Sequence, residues 1–323
     1  MQIIRFIILN CFLVSLIYAL NCEHCKKKIT KDYIQRGNHS FCSKSCSIKS
    51  LPKCKTCSKA LTGRYIKHNN HLYCSQNCLS VLFPKCELCK KKVKGWVAIR
   101  GANFCKSCVS LHRCHECRLP FSKGVKLKDQ RKVCATCKDK TLIKDLKQAE
   151  GLYKQAQNEA FKITGKKSKI LPKLDLVDYP SIQKISKMTG NIRGFYSRQE
   201  EGNPKDGYRL KSKTIYILNY MTKENFMATA VHEFCHDVQA EFYPKLMSAP
   251  LWIQEGLAQY VAAIYCRKMN YKTALYDIEN SKDPTYGDSY RYLKKKFGEN
   301  NWSAIDRWLR TTNLSRLPSK SPK

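Results

Sequence analysis

Four repeats of one cysteine pattern occupy residues 22 to 137 and constrain what this part of the chain can fold into. Each repeat is a Cys-x2-Cys pair followed, after fifteen or sixteen residues, by a second pair with two or three residues between its cysteines. A unit of about thirty residues is too small to bury an unaided hydrophobic core, so each one needs a cross-link or a metal ion. The sixteen cysteines are Cys22, Cys25, Cys42, Cys46, Cys54, Cys57, Cys74, Cys78, Cys86, Cys89, Cys105, Cys108, Cys114, Cys117, Cys134 and Cys137.

The spacing of these cysteines favours tetrahedral zinc sites over disulfide bonds. A shared pattern precedes the third cysteine of the first two units, YIQRGNHSFC and YIKHNNHLYC, and it suits a hairpin that carries the second ligand pair. A disulfide framework stays open as the alternative, because such frameworks are typical of exported proteins. The repeats therefore predict up to four structural zinc ions.

The chain is strongly basic, with a formal net charge of +35 over 323 residues. Four quartets of zinc-bound thiolates would lower this charge by about eight units. A lysine-rich solvated surface explains such a charge better than a nucleic-acid site does, so nucleic acid is the less favoured partner. We expect the fingers to recognise or regulate proteins. The aromatic residues that would permit nucleic-acid contact are Phe41, Tyr73, Trp96 and Phe104, although finger cores also need them.

The first twenty residues, MQIIRFIILNCFLVSLIYAL, contain one arginine followed by a largely apolar stretch. This stretch is short for a membrane span and is typical of a secretory signal, with Ala19 near the cleavage point. Residues 1–20 are therefore predicted to be a signal peptide, or a membrane anchor if they are not cleaved. The expected location is secreted or exported, and membrane contact is expected only through an uncleaved segment.

The remainder of the chain has the pattern of an α+β domain. Residues 141–165 have apolar side chains at helical spacing and end in Gly165, which predicts a linker helix that connects or packs. The segments ILPKLDLV, NIRGFYSR and YRLKSKTIYILNYM are strand-like, and helical patterns follow them. The predicted fold class is α+β, in which four small zinc fingers at 22–140 precede a larger domain at 166–318.

A His-Glu-x-x-His motif, HEFCH, lies in an apolar helical segment of this larger domain. His232 and His236 are four residues apart, so both imidazoles leave the same face of a helix, as one metal ion requires. Glu233 is offset by one residue and can reach an attacking water without being a ligand. Eighteen residues separate His236 from Glu255, which lies in a second helical pattern. It can complete a His, His, Glu zinc site with one open position.

This arrangement predicts a zinc-dependent endopeptidase with one catalytic zinc ion and with Glu233 as the general base. Its expected partners are protein or peptide substrates. Tyr286, Tyr290 and Arg291 are candidates for stabilising the transition state, although each is equally suited to a structural hydrogen bond. The alternative function is a non-catalytic, basic zinc-finger adaptor or nucleic-acid-binding protein, in which the larger domain is a scaffold.

Several stretches of the larger domain resemble the peptidase domain of the plant LIM-domain, ubiquitin-activated peptidases that limit organ size. These are ILN before the predicted active helix, then AVHEFCH, QEGLAQYVA and YGDSYRYLKKKFG. The resemblance extends from Ile170 to Pro318. The cysteine units resemble LIM and related treble-clef zinc fingers, and their place ahead of the peptidase-like domain matches the family's order of domains.

The resemblance implies a zincin-like metallopeptidase domain of the gluzincin type. It implies that the zinc ligands are His232, His236 and Glu255. It also implies that Glu233 is catalytic and that an edge strand, expected at residues 214–220, pairs with an extended substrate. The family's acidic ubiquitin-interacting helices have no counterpart in this basic chain, so the resemblance does not imply activation by ubiquitin.

Overall fold

The computed structural model describes residues 20–140, 142–203 and 207–322. Residues 1–19, which make up almost all of the predicted signal segment, lie outside the described residues. Within the described part of the chain, every helix is too short or too polar to cross a bilayer. Packing divides the chain into two compact units, Met1–Trp96 and Val97–Lys323, and the boundary falls inside the third cysteine unit.

Each cysteine unit contains a short antiparallel hairpin followed by one short helix. In the second hairpin the chain turns at Asn69 and Asn70, which both have positive φ, as a two-residue type I′ turn requires. Asparagine adopts this conformation more readily than most residues do.

The elements of the four cysteine units are β1 (Ile34–Arg36), β2 (His39–Phe41), α1 (Lys44–Lys49), β3 (Ile66–His68), β4 (His71–Tyr73), α2 (Gln76–Ser80), β5 (Val97–Ile99), β6 (Ala102–Phe104), α3 (Lys106–Val109), β7 (Gly124–Lys126), β8 (Lys132–Cys134) and α4 (Ala135–Asp139).

A serine after the third cysteine caps the helix in each of the first two units. Ser43 accepts a hydrogen bond from the backbone N–H of Cys46, and Ser75 accepts one from the N–H of Cys78. These bonds satisfy a backbone donor that the first turn of a helix leaves free. The Cys-Ser pairs of the first two units thus fix the start of the short helix that carries the last cysteine of each of those two quartets.

The second unit packs helices against a mixed three-stranded sheet. Its central strand, β12, pairs in parallel with β10 and antiparallel with β11. The further elements are β9 (Leu142–Ile143), α5 (Leu146–Thr164), β10 (Lys173–Val177), α6 (Tyr179–Ser186), β11 (Gly194–Asn203), β12 (Gly207–Leu218), β13 (Met221–Thr222), α7 (Lys223–Phe242), α8 (Leu251–Lys268), α9 (Lys272–Glu279), α10 (Ser289–Phe297) and α11 (Trp302–Thr311), with 3-10 turns at Pro244–Ser248 and Leu314–Arg316 and a π-turn at Pro284–Asp288.

Two sequence predictions about this unit have clear outcomes. The mixed α/β fold, with four cysteine clusters ahead of most of it, is confirmed. The placement of an edge strand at residues 214–220 was wrong, because residues 214–218 belong to β12 and have a hydrogen-bonded strand on each side. β11 lies at an edge of the sheet instead. A sequence pattern indicates that a segment forms a strand but does not indicate which strands lie beside it, since strand order depends on contacts between residues far apart in the chain.

The segment 141–165, predicted as a linker helix, contains the helix α5 at Leu146–Thr164, whereas Leu142–Ile143 form β9, and α5 is part of the core of the second unit. Its small residues Ala149, Ala156 and Ala160 are almost fully buried. Small side chains on one face allow the backbones of two helices to approach closely. The helix ends at Gly165, which has a left-handed φ of 67° and caps the last turn.

A buried ionic cluster joins α7 to the sheet. The ammonium group of Lys213 on β12 lies 2.8 Å from Asp237 and 2.7 Å from Glu241, both on α7. The hydroxyl of Tyr196 on β11 donates a hydrogen bond of 2.9 Å to Asp237. Since Lys213 and Asp237 are both buried, removing either partner would leave an uncompensated charge. The cluster therefore fixes α7 against the two strands that flank it.

Candidate metal centre

Helix α7 begins and ends where its sequence dictates. The hydroxyl of Thr222 accepts a hydrogen bond from the N–H of Asn225 and caps the first turn, and Glu224 complements the positive end of the helix dipole. Pro244 lies two residues beyond Phe242, the last residue of the helix, and cannot continue it. Most of the side chains between these points are buried, including His232 and Glu233. The helix therefore carries polar groups into the interior of the unit.

Helix α8 delivers the third polar group. Glu255 is followed by Gly256, and a Cβ atom at position 256 would lie only 2.7 Å from the Cβ of Ser289. The absence of that side chain allows α8 to pack closely on the segment that starts α10. Glu255 leaves α8 on a different side and reaches His232 and His236 on α7.

The ligand atoms of these three side chains are separated by the distances expected around one tetrahedral metal ion. The Nε2 atoms of His232 and His236 are 3.2 Å apart. One carboxylate oxygen of Glu255 lies 3.2 Å from the first of these nitrogens and 3.5 Å from the second. Ligand atoms bound at about 2.1 Å to one tetrahedral ion are separated by about 3.4 Å. That oxygen is buried and has no hydrogen-bond partner among the residues that the structure describes. The donor set and its spacing fit a divalent metal ion.

Gln239 determines which nitrogen of His236 is available to a metal. The side-chain N–H of Gln239 donates to the carbonyl oxygen of Gln254 at 2.8 Å, and its own oxygen lies 3.1 Å from Nδ1 of His236. Nδ1 must therefore carry the proton, which leaves the lone pair of Nε2 pointing at the centre of the group. A hydrogen bond of this kind on the far nitrogen is typical of histidines that bind metals.

The charges of the cluster favour a bound cation. Burial alone would raise the pKa of Glu255, but His236 and His232 outweigh it and hold that pKa well below its usual range. Burial alone would lower the pKa of His236, and Glu255 instead raises it to about 9. The carboxylate thus draws positive charge to the position between the imidazoles, where a metal ion would supply it.

Glu233 lies beside this group in a different environment. Its carboxyl group is buried, and burial raises its pKa, which the nearby histidines oppose. The backbone of Tyr196 on β11 also opposes the rise in this pKa. Gly194 opens space for it, because a Cβ atom at position 194 would lie 2.5 Å from Oε1 of Glu233. A raised pKa brings a carboxyl group closer to the range in which it can both accept and donate a proton.

The ring of Tyr286 lies close to the metal-binding group. Its centroid is 6.3 Å from that of His232, and the two ring planes are inclined by only 30°. Burial raises the pKa of Tyr286, and the carboxylates of Glu255 and Glu233 add to the effect. The hydroxyl therefore stays protonated and can donate a hydrogen bond near the group.

Tyr290, predicted as a candidate for stabilising a transition state, makes structural contacts. It is fully buried, and its hydroxyl lies 3.0 Å from Arg267 and 3.2 Å from Glu279. These partners occupy its hydrogen-bonding capacity. The structure does not bring its hydroxyl to the metal-binding group.

Arg291 is likewise held by its own surroundings. Its guanidinium group pairs with Asp288 at 2.5 Å and donates to the backbone carbonyls of Glu279 and Ser281. These bonds tie the start of α10 to the loop after α9. Of the three candidates for stabilising a transition state, the structure brings Tyr286 alone to the site.

The cysteines form four quartets, as their spacing predicts. In the first quartet the sulfur atoms of Cys25 and Cys42 are 3.6 Å apart, and those of Cys42 and Cys46 are 3.5 Å apart. A disulfide bond would bring two sulfurs to about 2.05 Å, whereas one zinc ion would hold them about 3.8 Å apart. These sulfurs are spaced for a metal ion. The four groups are Cys22, Cys25, Cys42, Cys46; Cys54, Cys57, Cys74, Cys78; Cys86, Cys89, Cys105, Cys108; and Cys114, Cys117, Cys134, Cys137.

The backbone around the first cysteine of a quartet favours the thiolate form. Burial would raise the pKa of Cys22, but backbone N–H groups of Cys25 and Cys42 outweigh it and lower this pKa to about 6. The same arrangement lowers the pKa of Cys54 to about 6 in the second quartet. Metals bind the thiolate and not the thiol, so these loops are prepared for a metal ion.

Sequence reasoning missed Gln239, Gly194 and the backbone of Tyr196. Gln239 was within reach of such reasoning, because it lies three residues after His236 on the same helix face. Gly194 and Tyr196 gave no local signal, since their positions beside Glu233 depend on how β11 packs against α7.

The chain was compared with models of protein families and with curated proteins. It matches no family model and no curated protein.

Proposed function

We propose that the second unit is a zinc-dependent endopeptidase. The observation that carries this proposal is the meeting of two imidazole nitrogens and one carboxylate oxygen at tetrahedral separations, beside the buried carboxyl group of Glu233. Three protein ligands leave one position of a tetrahedral ion for water or substrate, which is typical of catalytic zinc sites. Zinc accepts this mixed nitrogen and oxygen donor set.

Each group at the site then has a defined task. Zinc bound by His232, His236 and Glu255 would supply Lewis acidity, which polarises a carbonyl group and lowers the pKa of a water molecule. Glu233 accepts the proton of the attacking water and passes it to the leaving amine. The hydroxyl of Tyr286 donates a hydrogen bond to the negative charge that develops on the carbonyl oxygen.

The substrate side of the site is formed by β11. This strand lies at an edge of its sheet, and its first residue, Gly194, lies against Glu233. An extended peptide that adds to a sheet edge is held chiefly through its backbone. The proposed substrates are therefore extended or unfolded protein segments, and preference for particular side chains is expected to be loose.

The fingers are proposed to bind structural zinc and to recognise protein partners. Of the four aromatic residues considered for stacking on nucleic-acid bases, Phe41, Tyr73 and Phe104 are at most 2% exposed, and Trp96 is 48% exposed. A buried ring cannot stack on a base without unfolding its finger. This observation supports protein recognition over nucleic-acid binding.

Cleavage of an unfolded protein tests the function. The purified protein is expected to cleave casein, to lose this activity with 1,10-phenanthroline and to regain it when zinc is added, because hydrolysis requires the ion at the His, His, Glu group. Inhibitors of serine and cysteine proteases are the control and should have no effect. Cleavage that persists after the metal content of the His, His, Glu group has fallen to zero would contradict the proposal.

A methyl group at position 194 is expected to impair the proposed reaction. The Cβ of Gly194→Ala would meet both Oε1 of Glu233 and Cγ2 of Thr229 at 2.5 Å, so the carboxyl group must move. A displacement of a few tenths of an ångström to 1 Å is expected to lower kcat by about tenfold to 100-fold with unchanged zinc content. Gly151→Ala on α5, where a Cβ meets nothing within 4 Å, is the control. Equal kcat values for the two variants would show that Glu233 has room to adjust.

A further inference from the structure

The fourth finger contacts the helix that carries the metal-binding histidines. Its first two cysteines enclose His115 and Glu116, and Glu116 is only 1% exposed. One carboxylate oxygen of Glu116 accepts hydrogen bonds from the backbone N–H of Thr222 at 2.8 Å and from the side chain of Asn225 at 2.9 Å. Thr222 caps α7 and Asn225 lies in its first turn. Glu116 is thus a second cap on this helix, supplied by a zinc finger.

The carboxylate is well placed electrostatically. The N-terminal end of an α-helix carries partial positive charge, which a negative group stabilises most when both are buried. The backbone carbonyl of Glu116 also accepts a hydrogen bond from Asn225 at 3.2 Å. In the other three Cys-x2-Cys loops the equivalent residues are His24, Thr56 and Leu88, so this carboxylate is particular to the fourth finger.

A second contact joins the same loop to β11. Arg193 precedes the first residue of β11, and its guanidinium group lies 3.4 Å from the carbonyl oxygen of His115 and 3.3 Å from that of Glu116. It also pairs with Asp277 at 3.4 Å. The next residue in the chain is Gly194, which lies against Glu233. The loop of the fourth finger therefore holds both elements that surround the proposed catalytic carboxyl group.

A third contact comes from the hairpin of the fourth finger. Arg131, which is 7% exposed, donates to the backbone carbonyl of Asn219 at 3.0 Å and to its side-chain oxygen at 2.8 Å. Asn219 follows β12 directly and precedes the cap of α7. Arg131 also pairs with Asp129 at 2.7 Å, and Asp129 accepts a hydrogen bond from the N–H of Tyr179. These contacts are buried, as expected of a fixed joint and not of a mobile recognition module.

We propose that the fourth finger is a fixed part of the catalytic unit, and that Glu116 is a positioning residue which sets α7, and with it the metal-binding histidines and Glu233, in place. The inference rests on the proposed function. Metal binding by the fourth quartet shapes the loop between Cys114 and Cys117, so the structural metal supports the catalytic one without touching it. The third finger also contacts this unit, since Arg100 pairs with Asp277 at 2.7 Å, so the first two fingers are the ones proposed to bind partners.

A shift at the start of α7 is expected to reach Glu233, because the helix is rigid. Glu233 lies ten residues beyond the start of the helix, or about 15 Å along its axis. Loss of the Glu116 side chain leaves the buried N–H of Thr222 without its acceptor and leaves the Asn225 amide only the backbone carbonyl of residue 116. An unsatisfied buried donor costs enough to loosen the first turns. A shift of the helix by a fraction of an ångström is transferred to the histidines, because the helix moves as one body.

Three measurements on Glu116→Ala test the inference. We expect hydrogen exchange in residues 223–231 to become about tenfold faster, zinc at the His, His, Glu group to be lost to a chelator at about tenfold lower concentration, and kcat to fall about tenfold or more with KM within about twofold. Glu116→Gln keeps an acceptor oxygen and should retain most of each property. The control is Glu87→Ala, since Glu87 lies in the Cys-x2-Cys loop of the third finger, is exposed and pairs with the exposed Lys90.

The outcomes separate this inference from the proposed function. If Glu116→Ala matches Glu87→Ala in exchange, zinc retention and kcat, the positioning role is overturned. If the parent protein cleaves nothing, exchange and zinc retention still decide whether Glu116 positions α7. If Glu116→Ala does not fold, the comparison of Glu116→Asp with Glu87→Asp decides, because the shorter side chain withdraws the carboxylate at position 116 from Thr222 and Asn225, whereas Glu87 is exposed and has no buried donor to lose. Equal exchange in those two variants would overturn the inference.

Discussion

Glu233→Gln is expected to lower kcat by about 10²- to 10⁴-fold and to leave the zinc content unchanged. Glutamine has nearly the same shape as glutamate but cannot accept a proton from water. The carboxyl group is not one of the three converging ligands, so its replacement leaves the metal site intact. Zinc counted per chain and steady-state kinetics on one peptide substrate would measure both effects.

The exposed Glu150 on α5 provides a matched control for this substitution. Glu150→Gln makes the same chemical change far from any metal-binding group and should cleave like the parent. A Glu233→Gln variant that retains more than about a tenth of the parental kcat would remove Glu233 from the mechanism, because proton transfer by a positioned group contributes more than that.

Glu255→Ala is expected to remove the catalytic zinc and nearly all activity, leaving the four cysteine quartets filled. The two histidines that remain are one ligand short of the three that catalytic zinc sites have. Zinc should fall from five ions per chain to four, since the described residues form five candidate metal groups. Elemental analysis of the purified variant, together with casein cleavage, measures both results.

Cobalt substitution distinguishes the two kinds of site in that variant. Cobalt bound by four thiolates absorbs strongly, so the cysteine-derived absorption should be the same in the parent and in Glu255→Ala. Glu150→Ala is the control for loss of an exposed carboxylate. The assignment of Glu255 as a ligand would fail if the variant still held five zinc ions at the parental affinity.

Short-range spacing was enough to predict the metal-binding groups. The histidines meet because residues four apart share a helix face, and the cysteine quartets form because each is contained in a unit of about thirty residues. The strand pattern of residues 214–218 was recognised, but its central place in the sheet was not. The alternation of apolar and polar side chains indicates which face of a strand is buried but does not indicate which strands lie beside it.

The contacts of single polar side chains were the least predictable. Tyr286 and Tyr290 are four residues apart, yet one lies near His232 and the other is enclosed by Arg267 and Glu279. Tyr286 lies in the π-turn at Pro284–Asp288 and Tyr290 lies in α10, so helical spacing does not relate the directions of their side chains. The role of Glu116 was equally hidden, because its partners are more than a hundred residues away in the chain.

The hydrogen bond from His236 to Gln239 implies that the two classes of metal site respond differently when zinc is scarce. The His, His, Glu group is held by helices whose packing does not need the ion, and the imidazole is already turned correctly. It can therefore lose and regain zinc without refolding. The quartets are different, because units of that size owe their fold to the metal. Mild zinc depletion is thus expected to stop the proposed hydrolysis reversibly, whereas deep depletion is expected to unfold the fingers.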